Sequence, residues 1–444
     1  MTDRMSSLIA RNFAVAGGEL RIGGLSVGSL AERYGTPLYL YDAHVLHQKW
    51  QLLRSALTPE FTIAYSVKAN PNPALLEYFL AKHCDLEIAS AGEFHCALRA
   101  GCPPSRILFA GPGKTEAELE LVVKEGIGEI HAESLGEIRR IGAIAERLTT
   151  RSRVAVRVNP GAAAQGGAMR MGGKPAPFGI DEEALDDALQ ALLSTASIEF
   201  RGIHLFAGTQ ILDHTVLVSQ YRKGLEIAGR IAARAGRPLP TVDFGGGLGI
   251  PYFDGDRDLD MDRLRDEIAV IMAEVRTQPA FSGTRFVVEP GRYLVGEAGI
   301  YVARVTDVKV SRGKRFLILD GGMNHHLAAS GNLGQVIKRN FPIGLVNRLD
   351  DPLGEMVDVV GPLCTPLDTL ARDVQLPHAR VGDLVGVFQS GAYGRSASPL
   401  SFLSHPAPPE VLVEGGVDRL IRSRGTYEDP LRDIPSCRGE DRQS

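Results

Sequence analysis

Along the first two thirds of the chain, apolar residues gather in short β-rich runs that each stop at a polar residue or a glycine. The runs are TIAYSVKA from residue 62, LEIAS from 86, ILFAGP from 107, EIHAES from 129, AVRVNP from 155, GIHLFAG from 202, TVDFGGG from 241 and FVVEPG from 286. Between them lie amphipathic stretches such as TEAELELVVKE at 115–125 and residues 216–235, where apolar positions recur every 3.6 residues. Strands alternating with helices build either an open doubly wound sheet or a closed barrel. The count of eight favours closure, so a (β/α)8 TIM barrel over 40–290 is predicted.

After residue 290 the period shortens. YVARVTDVKVSRGKRFLILDGGM alternates on a period of two about a turn, and RVGDLVGVFQSGAYG does the same. Residues 291–444 are therefore predicted to form a mostly antiparallel β domain. Segment 17–40 opens with hairpin chemistry, and 1–39 is expected to pack with that β domain. The least regular stretch, GAAAQGGAMRMGGKPAPFG at 161–179, is long for a connection in a compact domain and is expected to be functional or mobile.

Composition narrows the class. A chain of 444 residues is long enough for two domains, each with its own core. Its 44% apolar and 23% charged content is that of a soluble globular protein. With 49 basic against 53 acidic residues and no basic run interleaved with aromatics, no nucleic-acid partner is expected. MTDRMSSLIARNF lacks an uninterrupted apolar core and no later run is long enough to span a bilayer, so no membrane partner is expected. Cys84, Cys96, Cys102, Cys364 and Cys437 are odd in number and lack zinc-ligand spacing, which points to a reduced cytoplasm.

In a barrel of this kind the C-terminal ends of the strands meet at one mouth. That brings together Lys68, Asp85 with Glu87 and Ser90, Arg157, His204, the Gly245–Gly249 run, and Glu289 with Arg292. Each has a plain explanation alone: a strand-end lysine snorkels to solvent, a glycine run makes a turn, and Glu289 pairs with Arg292. Together they are the parts of a pyridoxal 5'-phosphate site. An amine must attack the cofactor's aldehyde, and partial burial lowers its pKa for that task. A carboxylate must keep the pyridine nitrogen protonated so that the ring accepts electrons. A glycine-lined backbone must approach the phosphate and point N–H groups at it. No metal is expected, since His325 and His326, read as neighbours on a strand, face opposite ways and lack a third ligand at useful spacing. Gly361, Pro362 and Pro366 describe a loop around Cys364, where a thiol is accessible as an acid.

With YSVKAN, EIASAGE, FAGPGK, DFGGGLGIPY, EPGRYLVGEAG, GPLCTPLD, SGAYG and RSRGTYEDPL in order along nearly its whole length, the chain resembles fold-type III pyridoxal-phosphate decarboxylases. These are the group of diaminopimelate and ornithine decarboxylases. The resemblance implies an alanine-racemase-like barrel, a C-terminal β domain and a head-to-tail homodimer with shared active sites. Carried over by position, Lys68 holds the cofactor and Glu289 meets the pyridine nitrogen. Gly245, Gly246, Gly247, the Gly291-Arg292 backbone and Tyr393 serve the phosphate. Asp85, Arg157, His204 and Phe206 complete the cofactor's surroundings, while Arg292, Thr365 and Tyr393 are the expected substrate contacts. Cys364 reaches the partner's site as the acid that protonates the product.

Three departures bear on substrate. Phe206 stands where the family places a histidine over the cofactor ring. Thr365 replaces the glutamate that follows the catalytic cysteine in diaminopimelate decarboxylases, and NHHLAASGNLGQVIKRNFP replaces their Arg-Pro…Tyr segment. A pocket built to hydrogen-bond a distal amino-acid head rejects analogues because its own polar groups would go unpaired. Losing those groups argues against diaminopimelate. RYLVGEAGIYV, HHLAASGN and GAYGRSASPLSFLSHPAPPEVLV resemble two subgroups instead, one acting on aminoacyl groups of carrier proteins and one accompanying exosortase gene sets. Three alternatives stand beside this reading: a diaminopimelate decarboxylase, a racemase on the same fold, and a non-catalytic relative. A racemase needs acid/base groups on both cofactor faces, and a non-catalytic relative would be expected to lose Lys68, Cys364 or the phosphate glycines.

Overall fold

The computed structural model describes residues 3–161, 169–170, 175–206, 208–333, 335 and 337–435. Eight parallel strands close on themselves: β1 (Phe61–Ser66), β2 (Asp85–Ile88), β3 (Ile107–Phe109), β4 (Glu129–Ala132), β5 (Ser152–Asn159), β6 (Ile198–Leu205), β7 (Thr241–Asp243) and β8 (Arg285–Val288). Each pairs with the next, and β8 returns to β1 through Phe286–Phe61, Val287–Thr62 and Val288–Ile63. The barrel anticipated from the sequence is the one found, run for run. The strands are buried almost throughout, as parallel strands covered on both faces must be.

What places the strand ends is the helix that follows each of them. Side chains of Asn72, Ser90, Thr115, Ser134, Asp213 and Asp260 accept the first free N–H groups of their helices. At Thr115 the cap is reciprocal, with Glu118 returning a bond to the cap backbone. Strand β6 carries one extra residue: Phe200 pairs with Val154 and Gly202 with Ala155, so Arg201 is bulged out. A bulge shifts the in–out alternation of everything after it. The inward aim of His204 follows from this insertion.

The chain divides into two compact units, one of residues 48–251 and 256–295, which contains the barrel, and one of residues 1–47, 252–255 and 296–444. The second unit is built on the strand Gly299–Ser311. It pairs antiparallel with Lys314–Leu319, Leu384–Val387 and Leu38–Asp42, and Glu410–Glu414 adds to Leu38–Asp42 in parallel. Leu20, Ile22, Leu38, Leu40, Ile300 and Val302 pack in its core, each fully buried. At about 1.5–3 kcal/mol per buried side chain, this cluster ties the N-terminal hairpin to strands near 300. Among the described residues no helix is long and apolar enough to cross a membrane.

Candidate active site

Lys68 lies in a single turn, Val67–Ala69, directly after β1. The strand stops there because Asn70-Pro71-Asn72-Pro73 cannot extend it, and Asn72 with Pro73 starts the next helix. Lys68 Nζ sits 3.0 and 3.2 Å from the two carboxylate oxygens of Glu87 in β2. Ser66 Oγ donates to the same carboxylate at 2.5 Å. The Lys68 side chain is 41% exposed and Glu87 only 1%. The partly exposed amine is held by an ion pair at the barrel mouth. A buried carboxylate needs a cation, and Lys68 supplies it.

A second pair lies beside the first. Arg157 of β5 donates to Glu133 at 2.9 Å, and Glu133 also accepts the N–H groups of Gly111 at 2.7 Å and Gly179 at 3.0 Å. Burial pushes the Glu133 carboxyl up, but Arg157 and Lys114 outweigh it and leave it below the ordinary range. The ring of Phe206 stands between the cations, its centroid 6.0 Å from Lys68 Nζ and 5.7 Å from the Arg157 guanidinium.

Inside the barrel is a row of four buried groups, His131, His204, Asp243 and Glu289, whose polar atoms lie within 4.8 Å of one another. His204 and Glu289 are 3.2 Å apart, and the His131 ring stacks on His204 at 4.2 Å and 22°. Burial, then His131 and Arg157, hold His204 well below its usual pKa, so it is neutral. Burial, then Glu289, raise Asp243 well above the carboxylate range. His131 makes its own contact with Glu129 at 3.2 Å. The backbone joins the row, with Asp243 accepting from Gly245 N–H at 2.8 Å and Glu289 N–H donating to Gly245 O at 2.8 Å.

Glycine is required at the turn after β7. A Cβ on Gly245 would meet Leu205 O at 2.3 Å, one on Gly246 would meet Glu289 O at 2.4 Å, and Gly247 has φ +105°. Gly291 has the same constraint against Ala69 and Ser66, at 2.9 and 3.1 Å, and precedes Arg292 at the start of a short helix.

Asp85 requires a correction. It is the first residue of β2, at the end of the barrel away from the mouth, where it binds Arg106 at 2.7 Å and Arg285 at 3.2 Å. Glu87, two residues on, occupies the place expected for it. Ser90 caps its helix through the N–H of Glu93 at 3.2 Å. His131, Glu133 and Asp243 were not singled out from sequence, although each lies in or just beyond a strand run that was. The irregular stretch 161–179 falls partly outside the described residues, as does Cys437. Within it Met169–Arg170 pairs with Gly208–Thr209, and Phe178 faces Arg157 at 5.1 Å.

The remaining candidates belong to the second unit. Cys364 is exposed in the loop after Met356–Val360, and Asp368 organises that loop by accepting the N–H groups of Leu363 at 2.8 Å and Met323 at 2.6 Å. Thr365 turns its hydroxyl to the N–H of Leu367 at 3.3 Å. Tyr393 has the left-handed φ of +54°. His325 and His326 lie in a turn, not on a strand; His326 meets Ser390 at 2.8 Å, and burial holds both rings near pKa 3.

Residues 43–296 match the family model of the pyridoxal-dependent decarboxylases, pyridoxal binding domain. The chain belongs to this family. A Niallia circulans protein named L-glutamyl-[BtrI acyl-carrier protein] decarboxylase is 39% identical over 91% of this chain and 94% of its own. Diaminopimelate decarboxylase of Aquifex aeolicus is 33% identical over 94% and 96%. The crystal structure of diaminopimelate decarboxylase from m. jannaschii superposes with a TM-score of 0.88 at 27% identity, covering 96% of this chain and 98% of that one. The protein is thus a pyridoxal-phosphate-dependent decarboxylase, a carboxy-lyase.

The residues present fit that cofactor. Glu289 Oε1 is buried without a hydrogen-bond partner among the described residues, as a carboxylate awaiting a ring N–H would be. The glycines after β7 leave backbone that no side chain can cover.

Proposed function

We propose that this decarboxylase acts on an aminoacyl group tethered to a carrier protein. The observation that carries this reading is Thr365. Its hydroxyl serves its own loop, at 3.3 Å from the Leu367 N–H, where a carboxylate would be needed to grip a distal ammonium. Ala328, Ala329, Ser330 and Gly331 likewise leave small side chains where a charged grip would stand. The name of the Niallia circulans relative supports the same substrate class. A second reading, free diaminopimelate, rests on the relatives of that name at 33% identity.

In the proposed site Lys68 would hold the cofactor, Glu289 would meet its ring nitrogen, and the Gly245–Gly247 turn and the Gly291-Arg292 backbone would receive its phosphate, a role also proposed for Tyr393. When bound, the cofactor withdraws the electron pair left as carbon dioxide departs. Glu87 and Ser66 orient the Lys68 amine. His204, kept neutral, orients Glu289 without competing for its charge. Phe206, whose ring lies between Lys68 and Arg157, would offer the cofactor an apolar face without a histidine's proton chemistry. Cys364 delivers a proton to the product carbon from a second subunit of a homodimer.

Carbon dioxide release from an aminoacyl-carrier protein, set against free diaminopimelate, tests the substrate. A kcat/KM at least about tenfold higher on the carrier is expected from the loss of one charged contact, worth about 1.5–3 kcal/mol. Efficient turnover of free diaminopimelate would reverse the choice. Borohydride reduction and peptide mapping test the site, with the cofactor expected on Lys68.

A further inference from the structure

A cavity of about 730 Å³ lies within the unit that carries Cys364, and Lys338, Arg339 and Arg372 stand on its lining. These cations are organised by the chain. The side-chain amide of Asn340 donates to Arg372 O at 2.7 Å and accepts from Arg372 N at 3.0 Å, which locks the two cationic segments together. Gln335 accepts the Arg339 N–H at 2.8 Å. The Arg339 guanidinium lies against the Phe253 ring, 3.7 Å from its centroid.

The acids on the same lining do not cancel this charge. Asp373 is drawn to Lys314 at 3.1 Å, and Asp254, which also accepts the backbone N–H of Arg4 at 3.2 Å, offsets only one of the cations on the lining. Among the described residues neither Lys338 nor Arg372 has a carboxylate partner. Lys338 and Arg372 beside the Arg339 guanidinium outnumber the Asp254 carboxylate and make a net-positive anion site, and fork-shaped donors suit phosphate oxygens best.

The size of the cavity says more. A lone inorganic anion needs far less room, and about 300–1,000 Å³ is the range of sites for small organic molecules. The lining also carries apolar side chains, Met356 and Phe341 among them, which suits a ligand that joins an anion to an uncharged organic arm. The Cys364 loop is close by: Arg372 also lines a second cavity of about 430 Å³ together with Thr365 and Pro366.

We propose that the cavity lined by Lys338, Arg339 and Arg372 binds the phosphate of a phosphopantetheine arm that bears the aminoacyl group. This rests on the carrier-tethered reading of the substrate. A coenzyme A thioester offers the same phosphate-and-arm chemistry, so the test must separate the two sources.

The test uses the holoenzyme and one aminoacyl group presented four ways: on a carrier protein, on coenzyme A, on free phosphopantetheine, and on pantetheine lacking the phosphate. Lys338→Gln and Arg372→Gln are expected to lower kcat/KM about tenfold each on the phosphate-bearing forms through KM. The dephosphorylated form should be unchanged. A wild-type preference for the carrier over coenzyme A identifies the carrier as the source, and the reverse preference identifies the free thioester. Calorimetry with phosphopantetheine alone reads the site without turnover: binding to wild type and its loss in the double variant are expected. If that loss occurs although no thioester is decarboxylated, the site stands and the substrate reading falls. If thioesters are decarboxylated but the variants bind phosphopantetheine like wild type, the site falls and the substrate reading stands. Equal losses on all four forms, or no binding to wild type, would overturn the proposal.

Discussion

Glu289 is 4% exposed, yet the role proposed for it depends on its negative charge. Its neighbours make that workable. His204 is held neutral and Asp243 is pushed toward its protonated form, so neither competes with it for a ring N–H. Glu289→Gln keeps the shape and removes the charge. Cofactor content by absorbance should persist, while kcat falls about 10²–10³-fold, the usual cost of removing one electrostatic stabiliser. An unchanged kcat would deny Glu289 the role. Glu93 offers a separate test, because burial raises it from 4.5 to about 7, against the Ala89 N–H. Between those values the folded chain keeps a proton that the unfolded chain has released. The associated stability is complete below pH 4.5 and is lost as pH rises through 7. Glu93→Gln should remove that loss, a gain of up to about 3 kcal/mol at pH 8 and almost none at pH 4.5, at about 1.4 kcal/mol per unit. Urea unfolding at both pH values measures it, and equal gains would refute the assignment. Single residues are also where the sequence is hardest to read. Asp85 and Glu87 share a parity and so a barrel face, but two residues of strand separate them by about 7 Å in height. Alternation gives the face; only the strand's true end gives the height.

At the scale of elements, the eight strands were legible because each is a short apolar run closed by a polar residue or a glycine, and most are followed by a helix with a side-chain cap. The bulge at Arg201 was not. RGIHLFAG reads as an unbroken strand, and only the pairing with β5 reveals the extra residue. Its cause is Gly202, whose φ of +152° places an added Cβ 1.8 Å from Thr241 O. Gly202→Ala should therefore cost at least about 3 kcal/mol and disturb the His204–Glu289 contact. Gly236 is the control: it ends its helix at φ +66° with open space around it, so Gly236→Ala should cost only about 1–2 kcal/mol for the left-handed backbone. Thermal unfolding of the two variants compares them, and equal losses would assign the effect to φ and not to the clash. The pairing of Leu38–Asp42 was illegible for another reason. Its partners Gly299–Ser311 and Glu410–Glu414 lie hundreds of residues away, and no local period encodes such a pairing.

At the scale of the molecule, the proposal that Cys364 of a second subunit acts on the product held at Lys68 can be tested directly. Cys364 is exposed, but its loop is not loose, since Asp368 ties Leu363 and Met323 from two directions and Gly361 N–H returns to Asp368 O at 3.1 Å. An exposed thiol on a fixed loop suits a group that acts beyond its own chain. If each site takes Lys68 from one subunit and Cys364 from the other, single variants at these positions inactivate different halves of the same site. Lys68→Ala alone should be inactive. Cys364→Ala alone should retain bound cofactor and lose about 10²–10⁴-fold in kcat, as expected for a missing general acid. Mixed and allowed to exchange subunits, the two variants form hybrids. One site of each hybrid then carries both defects and the other carries neither. About a quarter of wild-type activity should return at equal mixing, because half the dimers are hybrids with one intact site each. Exchange is verified by differently tagged subunits, and activity is followed as carbon dioxide release. If activity stays at the single-variant level after verified exchange, Lys68 and Cys364 serve one site from the same chain, and the exposure of the thiol needs another explanation.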